Sequence, residues 1–534
     1  MATVLTAPVS ETQTDQRSKW LTLGAMCFAL FMLMLDNTVV NLALPTIQQH
    51  FNTSTAALEW IVNGYTLSLA MLMVTMGKLG DVYGRKRVFF TGLVLFTAAS
   101  LACGLAPSLG WLIAFRVIQG LGGSIMTPGT LSIITATFNG KERGTAIGIW
   151  AGISGLGLAA GPIIGGALVQ YVNWQSIFFV NVPIGILAFF IGTRVVRESV
   201  DPRATRGVDV LGVGTLTPAI FALTLALIEG QGWGWSSGRI LGLFVAAAVL
   251  LIAFVAVENM QAHPMVDFRI FRSLAFSAAN AISFVLSFGM FGTIFFLALY
   301  MQNVLGYTAI QAGVRQLPAT ALIMVGAPLS GRLVSRFGAR PVIFAGLASL
   351  SASLLLLALR VGPHSPYSDL VPSLVLMGIG MGFAISPLST VAMGAVERTK
   401  AGVASGVLNM MRQLGGVFGI ALLGAIFANR SHAHIADAVS ALPVPDPVKA
   451  QIIASNAGLA RGGGSALANA NPELVARVRE AVLGGVVHGL TDAMYVGAAA
   501  CVIGAVLTLF LAAPKEAAEA VSGEAAVAEP AIAL

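Results

Sequence analysis

The sequence predicts an all-α protein that crosses a membrane many times, as two six-helix bundles with two further membrane helices between them. Three observations predict it: the composition, the spacing of the apolar runs, and an internal repeat. The chain has 534 residues, 56% of them hydrophobic and only 10% charged, with a mean hydropathy of +0.84. Soluble domains carry about 25% charged residues. This chain has too few polar side chains to cover a water-soluble globule.

A membrane-crossing helix needs about 20 apolar residues. Fourteen runs come near that length. They cover roughly 19–44, 58–78, 87–106, 110–134, 144–169, 175–195, 208–228, 239–258, 274–301, 309–332, 341–360, 369–393, 402–428 and 486–512. Basic residues orient them, because cytoplasmic loops carry the excess of Lys and Arg. With the N-terminus inside, the inner loops hold Lys78, Arg85, Lys86, Arg87, Lys141, Arg143, Arg194, Arg197, Arg203, Arg206, Arg269, Arg272, Arg332, Arg336, Arg340, Arg398 and Lys400. The short outer loops hold only Arg239 and Arg360. Both termini are therefore expected in the cytoplasm. Trp60, Trp111, Trp174, Trp233 and Trp235 fall near the outer ends, where interfacial rings sit.

The net charge of +7 is thus a topology signal, and no nucleic-acid surface is indicated. Cys27, Cys103 and Cys501 lie singly inside apolar runs. That is the pattern of small buried hydrophobes, not of disulfides or a metal site. No GxxxxGK[ST] run is present to bind ATP. No cofactor and no metal is expected, and no nucleophile motif points to an enzyme.

The repeat sets the domain plan. "GKLGDVYGRKRVFFTG" (77–92) aligns without gaps on "GRLVSRFGARPVIFAG" (331–346), and Gly144, Gly148, Gly157, Gly161 and Gly166 correspond to Gly402, Gly406, Gly415, Gly419 and Gly424. The expected units are a tail over 1–18, a bundle over 19–195, a linker with two membrane helices over 196–273, a bundle over 274–512 and a tail over 513–534. The second bundle includes an extracytoplasmic segment, 429–485, whose "ELVARVREAVLGGVV" is mildly amphipathic and expected at the membrane surface. Repeated halves of one orientation are a transporter plan, with the substrate site between them near the midplane.

Four stretches in this order, "LDNTVVNLALP" (35–45), "GKLGDVYGRKR" (77–87), "RVIQGLGGSIMTP" (116–128) and "GISGLGLAAGPIIGG" (152–166), together with the 6+2+6 plan, resemble the major facilitator superfamily, specifically its fourteen-span drug:H+ antiporters. The resemblance covers roughly 19–512. It implies a multi-pass protein of a bacterial cell membrane, working as a monomer, that exports small amphipathic compounds in exchange for protons.

The motif residues have physical roles beside the resemblance. Gly77 and Gly84 permit a tight turn, and Asp81 between them faces Arg85. In the family such a loop resembles a latch that meets a cation or helix end of the other half in one state. Gly152, Gly157, Gly161, Gly165 and Gly166 lie on stripes that allow close helix approach, and Pro162 adds a bend. The resemblance reads this stretch as the antiporter motif.

Asp36 sits in the middle of an apolar run, where insertion scales put its cost at about 2.5–3.5 kcal/mol. At 1.5 Å per residue it lies about 25 Å from the inner edge. Arg116, entering from the other side, lies about 9 Å from the outer edge. In a core about 30 Å thick the two are at similar depth. They are either a static brace or a proton-coupling pair, and the resemblance favours coupling. Asn37, Asn41, Gln119, Met290, Arg315, Arg412 and Asp492 are the candidate cavity residues. Two other readings stay open: export of a single natural metabolite, lipid or siderophore, and import by a member of the same superfamily.

Overall fold

The computed structural model describes residues 13–53, 55–201, 209–261, 264–442, 449 and 472–511. Most of the expected tails, Arg203, Arg206 and most of the 443–471 stretch lie outside the described residues. Every regular element among the described residues is helical. In hydrocarbon a helix satisfies its backbone groups internally, which an apolar run has no other way to do.

Seven helices come first: α1 (Gln13–Phe51), α2 (Thr55–Tyr83), α3 (Arg85–Gly104), α4 (Leu109–Thr137), α5 (Gly140–Tyr171), α6 (Ser176–Phe179) and α7 (Asn181–Val195). A pair follows, α8 (Val210–Trp233) and α9 (Gly238–Met260). Then come α10 (Leu274–Leu299), α11 (Ala309–Arg315), α12 (Leu317–Phe337), α13 (Ala339–Arg360), α14 (Tyr367–Gly394), α15 (Ala401–Ser440) and α16 (Pro472–Leu507). Among the described residues, 13 helical segments are long and apolar enough to cross a membrane. α5, a helix of 32 residues, comes in addition to these.

The breaks between helices have local causes. Gly84 takes φ 108, a left-handed conformation that a Cβ would oppose, and there α2 ends and α3 begins. Its repeat mate Gly338, φ 85, does the same between α12 and α13. Asp209 caps α8 by accepting from the Gly212 amide, and Ser237 caps α9 from Ile240. Thr308 and Gln311 close a capping box on α11.

The structure departs from the sequence expectation in three places. The run expected over 309–332 is two helices, because the chain turns at Gln316 and Pro318 starts a new helix where no amide is needed. The segment expected at the membrane surface continues straight into α16, and its Val478 and Val482 pack on Ile435 and Val439 of an extended α15. Trp174 also leaves the expected belt: it is buried among His50, Phe51 and Phe178.

α1 to α7 pack largely on one another, and so do α10 to α16. α8 lies on α9 and touches both α2 and α15. The main crossings between the two groups are α15 with α2 and α4, and α5 with α11, α12 and α14. These crossings frame the site.

Candidate functional site

α1 brings Asp36 to α4 and α7 in an environment with no exposed surface. Asp36 Oδ2 accepts from Arg116 Nη1 at 2.6 Å. Its Oδ1 accepts from Gln119 Nε2 and Asn181 Nδ2, both at 2.9 Å. Arg116 also donates to Gln119 Oε1 at 2.7 Å and, through Nε, to the Ile61 carbonyl at 3.1 Å. Asn181 reaches Ser100 Oγ at 3.0 Å. Asp36, Arg116, Gln119 and Asn181 are each at most 1% exposed. The guanidinium lies 4.2 Å from the Tyr65 ring centroid, a cation–π contact out of water. A buried pair this well satisfied holds three helices in register, and losing one partner alone leaves an uncompensated charge.

Tyr65 has a second role. With Asn37, the neighbour of Asp36, it lines a cleft between the two helix groups whose empty space, counting its open mouth, is about 930 Å³. The lining is mostly apolar and includes Met34, Trp150, Met290 and Phe291. Arg412 is its one charged residue among those described.

Beyond the cleft, toward the α2–α3 turn, Asp81 crosses to the second helix group. Its Oδ1 accepts from the Gly402 amide at 2.8 Å and its Oδ2 from the Val403 amide at 2.9 Å, the first turn of α15. A carboxylate at a helix N-terminus is stabilised by those unpaired amides and by the helix dipole. Arg85 binds the same carboxylate through Nε and Nη2 at 2.9 and 2.7 Å, and Nη2 also donates to the Arg398 and Thr399 carbonyls. Gly77 and Gly402 make this reach possible, since a Cβ on either would enter the other's backbone. Nearby, Lys400 Nζ binds Asp267 at 2.9 Å. Burial pushes the Asp267 carboxyl up, but the Lys400 and Arg269 hydrogen bonds outweigh it and hold it below the ordinary carboxylate value. It stays ionised at neutral pH.

The second crossing is built from the repeat mates of the first. Gly331 faces the Gly144 backbone, a looser approach than that of Gly402 and Gly77. Gly148 and Gly152 face the Ala327 and Met324 backbone of α12. The rest of the stripe turns elsewhere: Gly157, Gly161 and Gly165 face α1 at Phe31, Thr38 and Val39, and Gly166 faces Ile310 of α11. The side chain of Pro162 lies outside the described residues. At this crossing Ser335 and Ala339 stand where Asp81 and Arg85 stand at the first. Among the described residues the ionic contact belongs to the first crossing.

Of the candidate cavity residues, Asn37, Met290 and Arg412 line the cleft. The other four do not. Gln119 belongs to the Asp36 network, and Asn41 is exposed and donates to the Asn37 carbonyl at 3.4 Å. Arg315 stacks on Tyr307, 4.0 Å from its ring centroid, and Asp492 pairs with Arg430 at 3.4 Å. Asn181, Ser100 and Tyr65 were missed by sequence reasoning. The one available signal was Asn181, a lone amide in "FFVNVPIGILAFF". The three cysteines are buried, as expected.

Membrane-length helices in two groups, a cleft between them and a buried ion pair beside it define a membrane transporter rather than an enzyme. The Major Facilitator Superfamily model matches residues 26–420. The chain belongs to that family. It is 39% identical to the tetracenomycin C resistance and export protein of Streptomyces glaucescens over 413 residues, 77% of this chain and 76% of that one. It is 38% identical over 439 residues to the multidrug resistance protein Stp of Mycobacterium tuberculosis, covering 82% of this chain and 81% of that one. Among solved structures, the human organic anion transporter MFSD10 (TETRAN) aligns with a TM-score of 0.62 at 12% identity, covering 93% of this chain and all of that one. At that identity it supports the fold alone.

Proposed function

We propose that the chain exports small amphipathic compounds, drugs and antibiotics among them, in exchange for protons, by alternating access through a 6+2+6 arrangement of fourteen spans. Export is supported by the relatives named for drug resistance and antibiotic export. The observation that carries proton exchange is the buried Asp36–Arg116 pair, one residue from Asn37 in the cleft lining. Asp36 is the proton carrier: rearranging its donors changes how well it holds a proton. With the α2–α3 turn placed in the cytoplasm, the Asp81 latch closes the cytoplasmic side of this form. Asp36 takes a proton from outside, substrate leaves, and reopening inward releases the proton.

One proton moving down 100 mV and one pH unit supplies about 3.7 kcal/mol. That sustains a gradient of several hundredfold for an uncharged substrate exchanged one for one. A second reading, export of one antibiotic made by the producing cell, is favoured by the relative named for tetracenomycin C. The test is dye and antibiotic efflux from energised, pump-deficient cells, followed by a pH jump in proteoliposomes. Wild type exports and Asp36→Asn, at equal expression, loses at least tenfold of proton-driven transport. Normal transport by Asp36→Asn returns Asp36 to the role of brace.

A further inference from the structure

We propose that Arg412 makes the cleft selective for organic anions, so that its compounds are amphipathic acids ionised at neutral pH: carboxylates, acidic phenols or enols. The proposal rests on the reading of the cleft as the transport site and names the chemistry that the site prefers. Three observations carry it.

First, Arg412 is the one charged residue among the described lining, and no carboxylate lines the cleft with it. Second, its charge is unanswered. The other two arginines in the core of the helix groups are each bound to an aspartate, Arg116 to Asp36 and Arg85 to Asp81. Arg412 has no carboxylate partner among the described residues. Third, its hydrogen bonding is incomplete. Nη2 donates to the Ile385 carbonyl at 3.2 Å and to Ser389 Oγ at 2.7 Å, whereas the buried Nε has no acceptor.

A buried donor without an acceptor and a cation without a counter-charge are both costly. A ligand anion removes the second cost. A carboxylate or ionised phenol in the cleft supplies the missing counter-charge and accepts from a guanidinium donor that the Nη2 bonds to α14 leave free. Its apolar body lies against Trp150, Met290 and Phe291. An organic cation would bring a like charge into a place of low dielectric. The Nη2 contacts to α14 fix the direction of the guanidinium, so it acts as a fixed receptor rather than a roaming surface charge.

The test uses one ring with two charges. Purified protein in detergent micelles is titrated with anthracene-2-carboxylate and anthracene-2-carboxamide, reading tryptophan quenching, with Trp150→Phe locating the signal in the cleft and empty micelles correcting for partition. Wild type is expected to bind the carboxylate about tenfold or more tighter, the scale of a hydrogen bond to a charged group. Arg412→Gln brings the two within about threefold by weakening the carboxylate alone, and Arg412→Lys keeps an intermediate preference. A wild type without preference overturns the proposal, and needs no variant to do so. Equal weakening of both probes in Arg412→Gln also overturns it, since that is how a structural brace behaves. The export reading is tested separately in energised proteoliposomes. Anion preference without export of either probe sinks export and leaves the site, whereas export of the carboxamide alone sinks the site and leaves export.

Discussion

Asp36 accepts hydrogen bonds from three buried side chains, and only Arg116 among them carries charge. A proton arriving on this carboxylate would remove the charge that strengthens all three bonds, the Arg116 bond most of all. The hold between the helices bearing them would loosen. Arg116→Lys keeps the charge but has no planar fork to hold Asp36, Gln119 and the Ile61 carbonyl together. It is expected to lose at least tenfold of proton-driven export and several degrees of melting temperature, read by transport and thermal unfolding. Arg116→Met leaves a buried carboxylate unpaired, at about 3–5 kcal/mol, and should fold poorly. Asn181→Leu removes a neutral donor to the carboxylate. Proton-driven export should fall several-fold while the fold persists, and unchanged transport would place Asn181 outside the coupling. Asp36 and Arg116 were legible in the sequence because a charge inside an apolar run has few reasons to be there. Asn181 and Ser100 were not, since uncharged polar residues occur in membrane helices for ordinary packing and their pairing is three-dimensional.

At the scale of elements, the contact between α2 and α15 combines a close glycine crossing with an ion at a helix end. Asp81→Asn keeps the shape and removes the charge. With charge-assisted bonds about twice as strong as neutral ones, the closed form should lose about 2 kcal/mol, near thirtyfold in population. Distances between spin labels at the ends of α2 and α15 would show it as a shift to the longer separation. Gly402→Leu puts a side chain into the Gly77 backbone and the Asp81 carboxylate. It should fold yet fail to close, losing both the short distance and transport. The helices themselves were legible from run length and composition, and so was the glycine register of the repeat. The extension of α15 to Ser440 and the early start of α16 at Pro472 were not. Hydropathy falls there, and what holds these turns is Val478 and Val482 packing on α15.

For the whole molecule, the charge of the cleft sets how export responds to voltage. An uncharged substrate exchanged for one proton moves one charge per cycle, about 2.3 kcal/mol per 100 mV. A singly charged anion leaving as the proton enters moves two, about 4.6 kcal/mol per 100 mV. Steady-state gradients in vesicles clamped at graded potassium potentials should show that doubled slope for the anthracene carboxylate and not for its amide. The two crossings that join the halves also differ. One carries Asp81 and Arg85, and its mate carries Ser335 and Ala339 on the same glycine plan. The two seams share a glycine plan, and among the described residues only the α2–α15 seam carries an ion pair. The consequence is an order in time. The α5–α12 seam can slide without breaking an ionic bond, whereas the α2–α15 seam has to release one, so the molecule should open unevenly, with the fastened edge last. Two fluorophore pairs, one across each seam, would resolve that delay, and simultaneous opening of both would mean that the halves move as rigid bodies.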